Sequence, residues 1–167
     1  MTSGLRITFA GAACAVLASA GTAAAQDRPA TAEQVVEAID ACAAITTPTW
    51  IELKDLKGMG WETLRKSNGR EQLVRGVYEK KGNEAYIVVT KENLREKQCM
   101  VMTLLADTAS YNALAQEASQ TIGMPDRQEG YSHTWMRAGH EVTVNPSGNA
   151  KKPKAIFVIS VPEGETE

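Results

Sequence analysis

The chain has 167 residues, 18 of them Lys or Arg and 20 Asp or Glu, for a net charge of −2. So even a balance gives no long-range field to gather nucleic acid or anionic lipid, and neither is expected as a partner. An apolar fraction of 43% with 23% charged residues belongs to a folded globular chain, long enough to bury its own core in one domain.

Residues 1–25 read as a secretory signal peptide. Arg6 supplies the positive n-region, residues 7–20 are free of charge and mostly Ala, Val, Leu, Ile and Phe, and Ala23-Ala24-Ala25 fits the small-residue cleavage pattern. Gln26, Asp27 and Arg28 restore polarity, so the mature chain is expected to start at Gln26. A retained anchor would need roughly 18 or more strongly apolar residues, and this Ala-rich stretch is too weak. Lipidation at Cys14 fits poorly, since Gly11 stands where such signals usually carry Leu and the apolar run before it is only about seven residues. The expected location is the periplasm, with the extracellular medium as the alternative, and no integral membrane segment remains after cleavage. Cleavage removes Arg6 and no acid, which makes the mature chain one charge more negative. A short linker over 26–30, one domain over 31–162 and an acidic, frayed tail over 163–167 complete the organisation.

Thr31-Ala-Glu-Gln34 has the form of a capping box, and the helix it opens is expected to run to Ile45. Val35, Ala38, Ile39 and Cys42 gather on one face of it, with Glu33, Glu37 and Asp40 opposite. Pro48 breaks the chain, and the repeated capping pattern Thr49-Trp-Ile-Glu52 predicts a short helix over 50–57 ending at Gly58. Trp61–Lys66 alternates as a strand, and Ser67-Asn68-Gly69 turns it. Strands are expected at 73–80 with a bulge at Gly76, then at 84–90 after a Gly82-Asn83 turn. The charged loop Lys91–Lys97 leads to a strand over 98–105 containing Cys99.

Asp107 or Thr108 caps a second amphipathic helix. Tyr111, Leu114, Ala115, Ala118 and Ile122 share its apolar face, Gly123 ends it and Pro125 forbids continuation. Tyr131–Arg137 and His140–Asn145 read as a hairpin turning at Ala138-Gly139. A Pro/Gly/Lys loop over 145–154 precedes the last strand, 155–161. The strands at 84–90, 98–105 and 155–161 are apolar on both faces, which demands cover on both. Three arrangements supply it: one helix on each side of the sheet, a sheet curled around the second helix, or a second copy of the chain. The fold expected is α+β, a largely antiparallel sheet of six or seven strands with two main helices and one short one.

Chemistry is scarce. His140-Glu141 opens like a metalloprotease motif, but Val144 stands where the second His belongs and the stretch alternates like a strand. In the expected hairpin His133 and His140 lie several positions apart on one face, without enough acidic or sulfur neighbours for a metal, so they read as ordinary strand residues. Gly58-Met-Gly60 lacks both the third Gly and the strand–helix context of a dinucleotide fingerprint, and no cofactor is expected. Cys42 and Cys99, the two cysteines left after cleavage, are expected to form a disulfide in an oxidising compartment. Their alternative is a reactive thiol working with a His. Lys151, Lys152 and Lys154 offer an anion or acidic-partner loop, against a merely solubilising one. Trp50, Trp61 and Trp135 offer an exposed aromatic patch, against a place in the core. The functional expectation is a non-catalytic exported module that binds a protein or a small ligand through one sheet face, with a protein partner or a homodimer. A thiol-dependent hydrolase, or another envelope enzyme of unrecognised type, is the alternative.

Overall fold

The computed structural model describes residues 28–64, 74–90 and 98–162. The signal peptide expected over 1–25, the turn expected at Ser67-Asn68-Gly69, the loop expected over 91–97 and the tail expected from 163 lie outside them.

The first helix forms as its cap dictates. Thr31 Oγ1 accepts the Gln34 N–H while the Gln34 side chain takes the Thr31 N–H, closing the capping box of α1, Ala32–Ile45. Thr46 ends it, and its hydroxyl donates back to the Cys42 carbonyl at 2.8 Å. The short helix α2 starts late, at Lys54–Gly58 instead of 50. Thr47 ties itself to Trp50 through both backbone and hydroxyl, and Ile51 bridges to Thr46, so residues 47–51 make a tight bend before any helix can begin.

Four strands follow: β1 (Trp61–Thr63), β2 (Val74–Lys80), β3 (Asn83–Thr90) and β4 (Cys99–Leu104). The register of β2 slips at Gly76, as expected of a bulge, and a Cβ there would lie 2.9 Å from the Tyr78 ring. Helix α3, Ser110–Ile122, begins after Asp107 Oδ1 accepts the Ser110 N–H at 2.8 Å and stops at Gly123, whose φ is +115°. The chain then makes β5 (Arg127–Glu129), β6 (Ser132–Arg137), β7 (His140–Asn149) and β8 (Lys152–Ser160). All eight strands form one antiparallel sheet in the order β1-β2-β3-β4-β8-β7-β6-β5. The architecture is the α+β one expected, with β5 as the additional strand.

The hairpin at Ala138-Gly139 forms with Arg137 opposite His140, both turn residues having positive φ. The stretch 145–154 is not a loop. β7 and β8 stay paired out to Asn149 and Lys152, with a two-residue turn at Ala150-Lys151. The prolines mislead because beyond Val144 strand β7 has no neighbour on its β6 side, so the N–H that Pro146 lacks breaks no ladder there. Gly148 holds φ +81° against Pro153, and a Cβ on it would sit 2.2 Å from the Lys152 carbonyl oxygen.

Both long helices lie on one face of the sheet. α1 packs across β3, β4 and β8, and α3 lies beside α1 and over β6. Strands β3, β4 and β8 accordingly alternate between fully buried and half-buried positions. Ala85, Ile87, Val89, Val101, Ala155, Phe157 and Ile159 turn toward the helices and join Val35, Ala38 and Ile39 in one core. Cys42 on α1 is bonded to Cys99 on β4, with Cα atoms 5.7 Å apart and both side chains fully buried. Polar ties fix α3: Trp135 Nε1 donates to the Gly123 carbonyl at 2.9 Å, and the Tyr111 hydroxyl reaches the Val144 and Tyr131 carbonyls. Burial pushes the Tyr111 phenol up to about 12. Of the three arrangements that could cover the apolar strands, one helix on each side is not realised.

Candidate functional site

With the helices on one side, every second residue of the central strands faces away from them. The register lines these residues up across the sheet. One row runs Val77, Val88, Met100, Val158, Thr143, and the next Tyr86, Met102, Ile156, Asn145. Leu104 beside Lys154 closes the apolar part at one end. Among the described residues no helix packs on this face, and its central side chains are half-buried. A like-facing residue in a sheet claims about 32 Å², from strands about 4.8 Å apart and a repeat of about 6.7 Å along each. The eight apolar residues from Val77 to Val158 therefore present roughly 260 Å² of continuous surface.

The rim is polar. Glu84 accepts from Arg28 at 3.0 Å, Glu141 lies 3.9 Å from Arg127, and Thr134 and Thr143 share a hydroxyl–hydroxyl bond of 3.1 Å. Met136, 50% exposed, continues the apolar character onto β6 beside Glu141. Met100, Met102 and Met136 give this face side chains that adapt to an irregular partner surface.

Of the residues singled out in the sequence, all but Lys154 fall elsewhere. Cys42 and Cys99 lie on the opposite, covered face, joined to each other, so neither sulfur is a thiol. His133 stacks against Trp135 with ring centroids 6.1 Å apart, while both ring nitrogens of His140 meet backbone carbonyls, of Thr46 at 2.9 Å and Ala138 at 3.0 Å. Each is engaged where it stands, and the bonded sulfurs offer neither of them a thiol partner. Trp61 and Trp135 are 1% exposed and Trp50 is 59% exposed, so the three make no common surface patch and two belong to the core. Lys151 is in the β7–β8 turn, while Lys152 and Lys154 sit on β8 itself, the latter at the rim of the apolar face.

A shallow groove along the outer side of α1 gathers charges, and both of its cations are already matched. Lys80 donates to Glu37 at 2.6 Å and Arg137 clasps Asp40 with two bonds of 2.6 and 2.9 Å. Lys80, helped by Asn83, holds the Glu37 carboxyl below its usual range, and Asp40 raises the already basic Arg137. These pairs clip α1 to β2 on one side and to β6 on the other. No group of three or more His, Cys, Asp or Glu side chains placed to hold a metal occurs among the described residues, and no helix among them is long and apolar enough to cross a membrane.

Set against protein-family models, curated proteins and solved structures, the chain finds no match in any of the three. Its class is therefore defined by its own architecture: a disulfide-linked α+β domain whose described helices both lie on one side of the sheet. The disulfide is consistent with an oxidising, extracytoplasmic compartment. The uncovered face had a clear sequence signal in the two-sided apolar strands, although sequence could not say which side the helices would take.

Proposed function

We propose that this chain is an exported, non-catalytic interaction module, acting in the periplasm, whose uncovered sheet face receives an amphipathic helix of a partner protein. One observation carries the reading: four adjacent strands, β2, β3, β4 and β8, turn apolar side chains to a face that none of the described helices covers. The patch is contiguous and rimmed by polar residues, which is the arrangement that marks interaction sites.

The size of the patch favours a helix over a second copy. A stable isologous dimer buries about 800 Å² of polar and apolar surface from each partner, so it would have to extend well past the roughly 260 Å² apolar footprint onto the charged rim. A helix is about 10 Å across and rises about 1.5 Å per residue, so covering that footprint takes roughly 17 residues. On the other face α1, with 14 residues, does the equivalent work across β3, β4 and β8. The polar and charged rim around an apolar centre has the anatomy of a specific interface. The signal-like segment and the disulfide support export, and the bonded state of Cys42 and Cys99 removes the nucleophile that a thiol hydrolase would need.

Photo-crosslinking residues introduced at Met100 and Val158, in the cells that make the protein, test the reading. Adducts to one other protein should map to an amphipathic helical segment, and the purified pair should dissociate when Met100→Lys places a charge at the centre. Adducts confined to a second copy, or none above those from Lys151, overturn it.

A further inference from the structure

A separate groove of about 630 Å³ opens between α3 and the β5–β6 hairpin, away from the apolar sheet face. Asn112, Gln116 and Gln120 form one wall. Their spacing of four residues stacks them along a single side of α3, over about 12 Å of helix. Gln128 and the His133 ring form the other wall, and Tyr131, 69% exposed, stands at the edge. None of the four carboxamides bonds to another group among the described residues, whereas the surroundings are fixed. Tyr111 grips the Tyr131 carbonyl, and the His133 ring lies between those of Tyr111 and Trp135.

The lining contains no Asp, Glu, Lys or Arg. An anion or a cation would find no acidic or basic partner, and Ala115, Met124 and Pro125 set apolar surface beside the amides. A primary amide both donates and accepts, which is also what a hydroxyl group does. A row of amides beside an exposed phenol ring therefore suits a ligand that carries many hydroxyls, no charge and an apolar ring face. The volume lies within the range of ligand sites, about 300–1,000 Å³. From this geometry we infer that the groove between α3 and the β5–β6 hairpin is a binding site for a neutral oligosaccharide.

Chitotetraose and cellotetraose are the neutral probes, titrated into isotope-labelled protein while backbone amide resonances are followed. At least one should shift resonances of residues 112–120 and 127–133 with a Kd in or below the millimolar range. Gln116→Ala/Gln120→Ala should weaken that binding by roughly tenfold or more, and Lys151→Ala should leave it unchanged. Both glutamines are exposed and Ala favours a helix, so the double variant keeps its fold, which its unshifted spectrum elsewhere verifies. Tyr131→Ala gives an independent loss from the opposite wall. No shift with either sugar at about 10 mM, or shifts that persist in both variants, overturns the assignment.

Discussion

Replacing Cys42 and Cys99 together by Ala tests the link between α1 and the central strand β4. The bond closes a loop across a sequence separation of 57. In the loop-entropy treatment that constraint on the unfolded chain is worth about 4 kcal/mol. Both side chains are fully buried, so trimming them to Ala adds a packing loss of about 1 kcal/mol. Comparison with reduced, refolded wild type separates the two contributions, since reduction keeps the sulfur atoms. Equilibrium unfolding in urea, followed by near-ultraviolet circular dichroism of the buried Trp61 and Trp135, is the assay. The reduced protein should lose about 4 kcal/mol, corresponding to a Tm lower by roughly 15 °C for a domain of this size. The m-value should rise as the unfolded chain expands. A loss under about 1 kcal/mol with an unchanged m-value would refute the reasoning. Such a result would mean that the core around α1 already restricts the unfolded chain as much as the bond does.

Three smaller perturbations probe the polar framework. Tyr111 holds its proton up to about 12 when folded, against an ordinary value of 10.0, so the folded state retains a proton that the unfolded chain releases. Wild-type stability should consequently fall as pH rises from 10 toward 12, and the advantage of wild type over Tyr111→Phe should shrink across that window in thermal melts. Glu37 is shifted the other way, so its contribution is present above its ordinary 4.5 and lost as the pH falls through the folded value. Urea midpoints should show Glu37→Gln costing under about 1 kcal/mol near neutrality and nothing in acid, because the pair with Lys80 is partly exposed. Gly148→Ala combines a positive φ with a Cβ 2.2 Å from the Lys152 oxygen, and should cost about 2 kcal/mol. Faster amide exchange confined to the β7–β8 end would mark the site of that damage, and unchanged exchange there would contradict the clash.

Much of the architecture was legible because local chemistry and tertiary structure agree. Thr31 and Gln34 cap α1 whatever it packs on, Gly123 and Pro125 stop α3, and Ala138-Gly139 can hardly avoid a tight hairpin. Misreadings occurred where a neighbour overrode the local signal. Thr49 and Glu52 carry a capping pattern, yet Thr47 had already bound Trp50 into a bend. Pro146 and Pro153 looked like loop residues because their tolerance depends on which strand edge lies open, a fact of topology. Strand β5, Arg127–Glu129, is exposed along its whole length and has no apolar alternation to detect. The candidate interface was half legible: apolar residues on both faces of three strands announced a need for cover, but the side chosen by the helices depends on chain path. The amide row on α3 was invisible, since Asn112, Gln116 and Gln120 look like any solvated helix face until the β5–β6 hairpin closes a groove over them.

The most direct test of the docking face is the native mass of the protein isolated from the envelope, for wild type and for Met100→Lys. A complex with one other chain in wild type, reduced to the free domain in Met100→Lys with its disulfide and circular dichroism intact, is the result expected. A wild-type protein that flies as a free monomer, or as a homodimer that Met100→Lys leaves whole, would contradict the account.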